Sequence, residues 1–295
     1  MSKAIKGVSL FSVTPLATNS SIDLERWKSH LDISIAGGVH SITIFGSTGG
    51  NGYFTEQEKM EALVAVAAHL AGRVPLMVGI GAMTTAESIR LAGFASNNGA
   101  DAVLVVPISY WKPTEHELIT HYGRIAEASR VPVWAYNNPP LAGIDLTPAI
   151  VVKLAAAIPN LVGMKDSSGD LTRVFRIPEL TGGKVGVGLG QDVFPVEALL
   201  GPSPAWFTGL ANFCPAECVA LWDAAHSGDA AKTCAIASKL FAPSEIGGRY
   251  GIIRVAHTAL ELLGRPVGGP RAPIQTLDGA AREELRAVLT RLGLA

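Results

Sequence analysis

The stretch Leu161–Gly169, L-V-G-M-K-D-S-S-G, places a lysine directly after four residues that are typical of the inside of a β-sheet. A charged side chain is costly to leave unpaired in such a place, so Lys165 needs an explanation. The residues after it are an aspartate, two serines and a glycine, which are typical of a loop. The stretch therefore predicts a buried strand that ends in a polar loop.

Similar apolar runs recur along the chain, alternating with longer helical patterns, as expected for parallel strands covered on both faces. The predicted strands are Val8–Val13, Ser41–Phe45, Leu76–Gly79, Ala102–Val106, Val131–Tyr136, Leu161–Met164, Val185–Gly188 and Ala205–Thr208. Between them, Thr-x-x-Glu capping boxes at Thr55, Thr84 and Thr114 predict the starts of helices. Eight strand–helix units in one chain predict an α/β fold, the (β/α)8 TIM barrel. The alternative is a doubly wound open sheet, which more often has fewer strands.

Three further helical patterns follow the last unit, at Ala230–Leu240, Tyr250–Leu263 and Ala280–Leu292. The Gly/Pro-rich run G-R-P-V-G-G-P-R-A-P at 264–273 separates the last two. We therefore expect a catalytic barrel over residues 1–227 and a C-terminal three-helix region over residues 228–295.

The composition indicates a globular protein that does not bind nucleic acid or membranes. The 295 residues are 48% hydrophobic and 17% charged, with a formal net charge of −1. No apolar run approaches the ~18 residues of a membrane span, and the start of the chain lacks the core of a signal peptide. The three cysteines, Cys214, Cys218 and Cys234, contain no CxxC pair, so we expect a reduced, cytoplasmic protein.

In a (β/α)8 barrel the active site lies at the carboxyl ends of the strands. This rule brings several polar segments to one rim. They are G-S-T-G-G-N-G at 46–52, V-P-I-S-Y-W-K-P at 106–113, A-Y-N-N-P-P at 135–140, G-M-K-D-S-S-G at 163–169 and G-L-G-Q-D at 188–192. Hydroxyl groups, a lysine and glycine turns are thus expected around one opening.

Lys165 is the outstanding candidate for chemistry at this rim. An amine in an apolar barrel mouth is desolvated, which lowers its pKa and leaves more of it neutral. A neutral amine attacks a ketone to form a Schiff base, which then acts as an electron sink. Tyr136 could supply the proton shuttle. The residues alone leave two alternatives open: an ion pair between Lys165 and Asp166 or another rim carboxylate, and a core tyrosine with a satisfied hydroxyl.

The segment G-S-T-G-G at 46–50 offers two hydroxyls and unhindered backbone N–H groups, a plausible cradle for a carboxylate. It lacks the spacing of a dinucleotide site or a P-loop, and a tight turn would explain it as well. The glycine-containing run at 186–190 is a weaker candidate of the same kind.

Together these segments resemble the dihydrodipicolinate synthase / N-acetylneuraminate lyase family of class I pyruvate-type aldolases. The matching pieces are T-P at 14–15, G-S-T-G at 46–49, Y-W-K-P-T at 110–114, Y-N-N-P at 136–139 and G-M-K-D-S-S-G-D at 163–170. They occur in family order, and the resemblance covers nearly the whole chain. It implies a barrel enzyme that forms an imine with a 2-oxo acid and needs no metal or other cofactor.

The resemblance also implies catalytic roles. Lys165 would carry the imine, and Tyr136 would be the general acid/base. Ser47, Thr48 and Gly49 would hold the substrate carboxylate, and the two hydroxyls would help to relay protons.

The resemblance extends to other candidate residues and to assembly. Gly190 and Leu141 would belong to the substrate-binding site. Tyr110 matches a family tyrosine that, in the synthases, reaches into a neighbouring subunit's site. Because family members are commonly tetramers built from dimers, we expect a homotetramer.

Two departures from the family concern the substrate. The synthases have an arginine in the loop after Y-N-x-P that grips the carboxylate of aspartate semialdehyde, and here that position is Leu141. An apolar side chain cannot replace a bidentate clamp, although another basic residue such as Arg249 could reach the same spot.

The segment D-S-S-G-D after Lys165 is more similar to the sugar-acid aldolases and dehydratases. Gln191 and Asp192 match the polar residues of the neuraminate lyases only in part.

The sequence thus predicts a Schiff-base-forming lyase that acts on a 2-oxo acid, such as a 2-keto-3-deoxy sugar acid or a related pyruvate adduct. Dihydrodipicolinate synthase, which condenses pyruvate with aspartate semialdehyde, and N-acetylneuraminate lyase are the alternatives. A phosphate-binding barrel without catalysis is an alternative from another class. A metal is not expected, because the histidines include no HxH or HExxH and His116 and His121 are not four residues apart.

Overall fold

The strands form a closed barrel in the computed structural model, which describes residues 2–295 except 194, 195, 197 and 198. The strands are β1 Gly7–Phe11, β2 Ser41–Ile44, β3 Leu76–Gly79, β4 Ala102–Val105, β5 Val133–Asn137, β6 Leu161–Asp166, β7 Gly186–Leu189 and β8 Ala205–Thr208. They pair in chain order, and β8 pairs in parallel with β1. The predicted (β/α)8 barrel is confirmed, and the open sheet is excluded because β1 and β8 close on each other.

Helices follow the strands and cover the outside of the barrel. They are α1 Leu24–Ala36, α2 Glu56–Leu70, α3 Thr85–Asn97, α4 Glu115–Ala128, α5 Pro148–Ala157, α6 Arg173–Leu180 and α7 Pro215–His226. Single helical turns lie at Asn51–Tyr53, Pro139–Ala142 and Leu210–Asn212. The predicted capping boxes are complete at Thr55 and Thr114, whereas Thr84 accepts a hydrogen bond from Glu87 without the reciprocal bond.

The C-terminal region contains the predicted helices, α8 Ala230–Tyr250, α9 Ile252–Leu262 and α10 Gly279–Arg291. The first continues past its predicted end at Leu240, through Pro243. Proline removes a helical hydrogen bond, but here the same turns bury Leu240, Ser244 and Gly247, so packing outweighs the local preference. We propose a boundary between residues 227 and 228, after the helix that completes the last barrel unit. In the described part of the chain, no helix has the length and hydropathy needed to cross a membrane.

Strand pairing decides which side chains enter the barrel. Tyr136 on β5 is paired with Lys165 on β6, and Asn137 is paired with Asp166. Successive side chains of a strand point to opposite faces. Tyr136 and Lys165 therefore share the inner face, where they meet Phe11, and their two neighbours face the surrounding helices.

Arg271 ties the C-terminal region to the barrel. Its guanidinium donates to the carbonyl oxygens of Tyr53 and Ser20 and to the carboxylate of Glu58 at the start of α2, and it stacks 4.3 Å from the Phe54 ring centroid. The hydrogen bond from Arg271 lowers the pKa of Glu58 to about 2. The segment between β2 and α2 is thus anchored from outside the barrel.

Two buried histidines lie at the same junction. The Nε2 atom of His30 is 3.0 Å from Oδ1 of Asn212, and His257 donates from Nδ1 to the carbonyl of Gly268 at 2.7 Å. Burial lowers the pKa of each histidine from 6.5 to about 4. Both rings are therefore neutral at neutral pH.

We expect acid to destabilise the fold before most carboxylates titrate. The unfolded chain protonates these histidines near pH 6.5 and the folded chain only near pH 4, so the free energy of unfolding falls as pH decreases through this window. A shift of this size corresponds to about 3 kcal/mol for each histidine.

Urea unfolding measured between pH 7 and pH 4.5 tests this expectation. His30→Gln, which keeps a donor for Asn212, should flatten the pH dependence, whereas the same change at the exposed His116 should not. An unchanged slope in His30→Gln would count against the role of His30.

Candidate active site

Lys165 is a buried amine inside the barrel, with only 2% of its surface exposed. Its Nζ atom lies 3.7 Å from the centroid of the Tyr136 ring, 4.3 Å from that of Phe11, and 3.3 Å from Oγ of Ser167. Burial lowers the pKa of Lys165 and outweighs the nearby anionic groups, which act in the opposite direction. The amine is thus held among aromatic rings, with the hydroxyls of Ser167 and Tyr136 in reach.

Asp166 is not the partner of Lys165, because adjacent residues of β6 point to opposite faces. Its carboxylate accepts hydrogen bonds from Asn137 and Ser168, both at 2.7 Å, and lies 3.7 Å from Nη1 of Arg173. None of the ion pairs found between described residues includes Lys165, with Asp166 or with another rim carboxylate. The ion-pair alternative therefore does not hold in this structure.

Tyr136 connects Lys165 to the rim. Its hydroxyl is 3.0 Å from Oγ of Ser47 and accepts a hydrogen bond from Nδ2 of Asn138 at 2.7 Å. Burial opposes ionisation of the phenol, but the charge of Lys165 and these hydrogen bonds outweigh it and lower the pKa of Tyr136. The hydroxyl is satisfied, as the core-tyrosine alternative requires, yet its partners are the rim residues that a proton relay would use.

The G-S-T-G-G loop is fixed by close packing at Gly49. A Cβ atom there would lie 2.8 Å from the Ser12 carbonyl oxygen, and the Gly49 carbonyl accepts from the Thr14 hydroxyl at 2.8 Å. The loop leaves Thr48 buried and Ser47 facing an open cavity. Two segments that the sequence linked only by order, T-P and G-S-T-G, are thus in direct contact.

The cavity at the barrel mouth has a volume of about 510 Å³. This size is in the range of small-molecule sites. Its wall is mainly apolar, and the described polar side chains in it are those of Ser47, Asn51, Tyr53, Ser109, Tyr136, Asn138 and Arg254. Lys165 is not one of the described wall residues, and its amine lies 3.7 Å from the centroid of the Tyr136 ring, which is part of the wall.

Of the other residues considered for the substrate site, only Leu141 lines the cavity. Leu141 lines the cavity and is 72% exposed. Tyr110 is 88% exposed, packs edge-on against Trp111 and is not among the described residues that line the cavity. Arg249 does not reach the position near Leu141, because it pairs with Glu284 on the surface.

Sequence reasoning missed Arg254, which lines the cavity from the start of α9. The rule that barrel active sites lie on strand-end loops does not point to residues of α9. Asp192 was noted only for its partial match to other enzymes. Burial raises the pKa of Asp192 to about 6, against the effects of Thr208 and Lys165, and its Oδ1 atom has no hydrogen-bond partner among the described residues.

No group of three potential metal ligands occurs among the His, Cys, Asp and Glu residues that the structure describes. His121, for example, bonds to the Thr85 hydroxyl at 2.9 Å, and burial lowers its pKa.

Comparison with known proteins identifies the family. Residues 4–292 match the Dihydrodipicolinate synthetase family. The chain belongs to this family. A 4-hydroxy-tetrahydrodipicolinate synthase of Methanoculleus marisnigri is 33% identical over 95% of this chain and 97% of the relative. One from Pseudomonas putida is 31% identical over 98% and 99%.

Solved structures of proteins from this family superpose on nearly the whole chain. YagE, a prophage protein of the dihydrodipicolinic acid synthase family from E. coli, in complex with pyruvate, superposes with a TM-score of 0.92 at 27% identity, covering 99% of this chain and 100% of YagE. Dihydrodipicolinate synthase from Thermotoga maritima gives a TM-score of 0.92 at 27% identity, covering 98% and 99%. As a member of this family, the protein is a class I aldolase-type lyase that works through a Schiff base with a pyruvate-type substrate.

Gly190 packs directly against the lysine. Its N–H donates to the Asp166 carbonyl at 2.8 Å, and its carbonyl accepts from the Ser167 hydroxyl at 2.9 Å. A Cβ atom there would lie 2.3 Å from Ser167 Oγ and 3.0 Å from Lys165 Cγ. The N–H and the carbonyl of Gly190 are both hydrogen-bonded within the protein, so Gly190 helps to position Lys165. The predicted contact between Gly190 and the substrate stays a prediction.

We expect Gly190→Ala to slow imine formation with pyruvate by about a hundredfold, since a displacement of about 1 Å can cost that much. The measurement is the rate of imine formation at saturating pyruvate. Gly123→Ala is the matched control, because a Cβ atom there meets open space. Equal rates in both variants would show that the close contact at Gly190 does not position the amine.

Proposed function

We propose that Lys165 is the lysine that forms the Schiff base. The observation that carries this proposal is the buried, desolvated amine 3.7 Å from the ring of Tyr136, whose hydroxyl leads to Ser47 at the cavity. The neutral amine attacks the C2 carbonyl of a 2-oxo acid. Tyr136 then gives a proton to the carbinolamine oxygen, which leaves as water, and the iminium forms.

The iminium draws electrons from the bond between C3 and C4 of a 4-hydroxy-2-oxo acid. Tyr136 takes the proton of the 4-hydroxyl, the bond breaks, and the aldehyde leaves. The remaining enamine is protonated at C3, and water releases pyruvate and the free lysine. Elimination of water from the same iminium would be the dehydratase version of this chemistry.

The substrate carboxylate is proposed to lie on the G-S-T-G-G loop. The Ser47 hydroxyl faces the cavity and is already bonded to Tyr136. Thr48 and the backbone at Gly49 lie beside it, and the contact between Gly49 and Thr14 holds the loop in place. Hydroxyl and N–H donors at this point would fix C2 near the amine.

The second half of the substrate is proposed to carry fewer hydroxyl groups than a sugar chain. A mainly apolar wall offers few partners to a polyhydroxylated tail, so the cavity favours a pyruvate adduct over a 2-keto-3-deoxy sugar acid or neuraminate. The synthase activity of the named relatives remains the runner-up, although Leu141 supplies no clamp for aspartate semialdehyde. A phosphate-binding barrel without catalysis does not fit a member of this enzyme family.

A homotetramer is proposed from the resemblance to the family. The exposed aromatic pair Tyr110 and Trp111 supports a subunit interface at the loop after β4, because exposed aromatic pairs of this size often mark contacts between proteins. Tyr110 would then approach a neighbouring subunit's site. The expected cytoplasmic location stays a prediction, which the buried free thiols of Cys214 and Cys218 fit.

Reduction with borohydride in the presence of pyruvate should attach the reduced pyruvyl group to Lys165, because reduction fixes the imine. Peptide mass spectrometry locates the adduct. Lys165→Arg keeps a cation but cannot form the imine, and it should give no adduct. Tyr136→Phe should form the adduct about 10²–10⁴ times more slowly, since it loses the proton donor. An adduct on another lysine would refute the assignment.

We expect the wild type to be slow with aspartate semialdehyde, since no basic side chain stands at position 141, and a charge-assisted pair missing there typically costs about 2–3 kcal/mol. Leu141→Arg should raise kcat/KM for this aldehyde with pyruvate by roughly a hundredfold. Leu141→Met, of similar size and without charge, is the control. Efficient condensation by the wild type would instead support the synthase function.

A further inference from the structure

Arg254 has an unusual position among the basic residues of this chain. It lies in the first turn of α9, is partly buried, and lines the cavity together with Leu141 and Tyr136. Its Nη1 atom donates to the Tyr250 carbonyl at 3.1 Å. In the described part of the chain no ion pair includes Arg254, whereas the nearby Arg249 is paired with Glu284.

The surroundings of Arg254 make its charge available to a ligand. No aspartate or glutamate is among the described residues of the cavity wall, which is mainly apolar. A guanidinium stays charged at all physiological pH values and carries five N–H donors. Electrostatic attraction is stronger beside apolar walls than in bulk water.

A helix-capping role explains only part of this arrangement. The bond to Tyr250 satisfies a carbonyl at the end of α8, as basic residues often do. It uses one donor of the guanidinium. The remaining donors can still form the bidentate contact that arginine makes with a carboxylate.

We propose that Arg254 binds a carboxylate at the far end of the substrate, so that the enzyme selects 2-oxo acids with an apolar spacer and a second carboxylate. This rests on the proposed function, in which the first carboxylate lies at Ser47 and the imine forms at Lys165. Arg254 is then a specificity-determining residue supplied by the C-terminal region and not by a strand-end loop.

The same wall disfavours an amino group on the substrate. An ammonium beside the far carboxylate would find no acidic side chain among the described wall residues, and it would lie close to the guanidinium. Aspartate semialdehyde carries such an ammonium. The selected substrate is therefore a dicarboxylic 2-oxo acid without an amine.

Imine trapping with a matched series of 2-oxo acids tests this proposal. The series comprises pyruvate, 2-oxoadipate and 2-oxopimelate, with 2-oxohexanoate and 2-oxoheptanoate as the uncharged partners of equal chain length. The wild type should half-saturate with one of the dicarboxylates at a concentration about tenfold or more below that for its uncharged partner. Arg254→Gln should abolish this difference, and Arg249→Gln should retain it.

The trapping results distinguish carboxylate binding by Arg254 from a role in helix capping alone. If Arg254 only caps α8, Arg254→Gln lowers the melting temperature and leaves the ratio of the half-saturating concentrations unchanged, which overturns the proposal. Equal half-saturation by dicarboxylates and their uncharged partners in the wild type overturns it as well. In both cases pyruvate is still trapped on Lys165. Absence of trapping with pyruvate in the wild type would instead refute the proposed function itself.

Discussion

The removal of one amine from water is the constraint on which the rest of this structure depends. Lys165 reaches the inner face of β6, and strand alternation sends Asp166, the next residue in the sequence, to the outer face, where it does not pair with the amine. The aromatic rings of Phe11 and Tyr136 take the place of water around the amine. Burial of this kind favours the neutral form, and the neutral form is the nucleophile that a Schiff-base enzyme requires.

The neighbours of the lysine hold it in a narrow space and connect it to the open cavity. Ser167 lies within 3.3 Å of the amine, and its own hydroxyl is fixed by the carbonyl of Gly190, where a side chain would collide. Tyr136 leads to Ser47 on the other side. The proposed sites of chemistry and of substrate recognition thus lie at different depths: the amine is buried inside the barrel, and Tyr136 stands between it and the mainly apolar cavity.

Much of the fold and part of the site could be predicted from the sequence. Buried parallel strands have a local signature, so each predicted strand matched an observed one to within a few residues. The inward direction of Lys165 and Tyr136 follows from period-two alternation once the strands are known. The contribution of Arg254 to the cavity wall could not be predicted. Arg254 reaches the cavity through the packing of α9 on the barrel, and no local sequence pattern encodes that contact. The role proposed for Tyr110 would depend on a neighbouring subunit, which a single chain does not specify.

The most direct test of this account is an NMR titration of the Lys165 side chain, with ¹³C-labelled lysine and the signal assigned by its loss in Lys165→Arg. The account predicts a pKa below the ordinary lysine value of 10.5, since desolvation is the largest influence on the amine. Phe11→Ala, which admits water beside the amine, should move the pKa back towards that value. A wild-type pKa at or above 10.5 would contradict the account, because the lysine would then be a charged partner in an ion pair and not a neutral nucleophile.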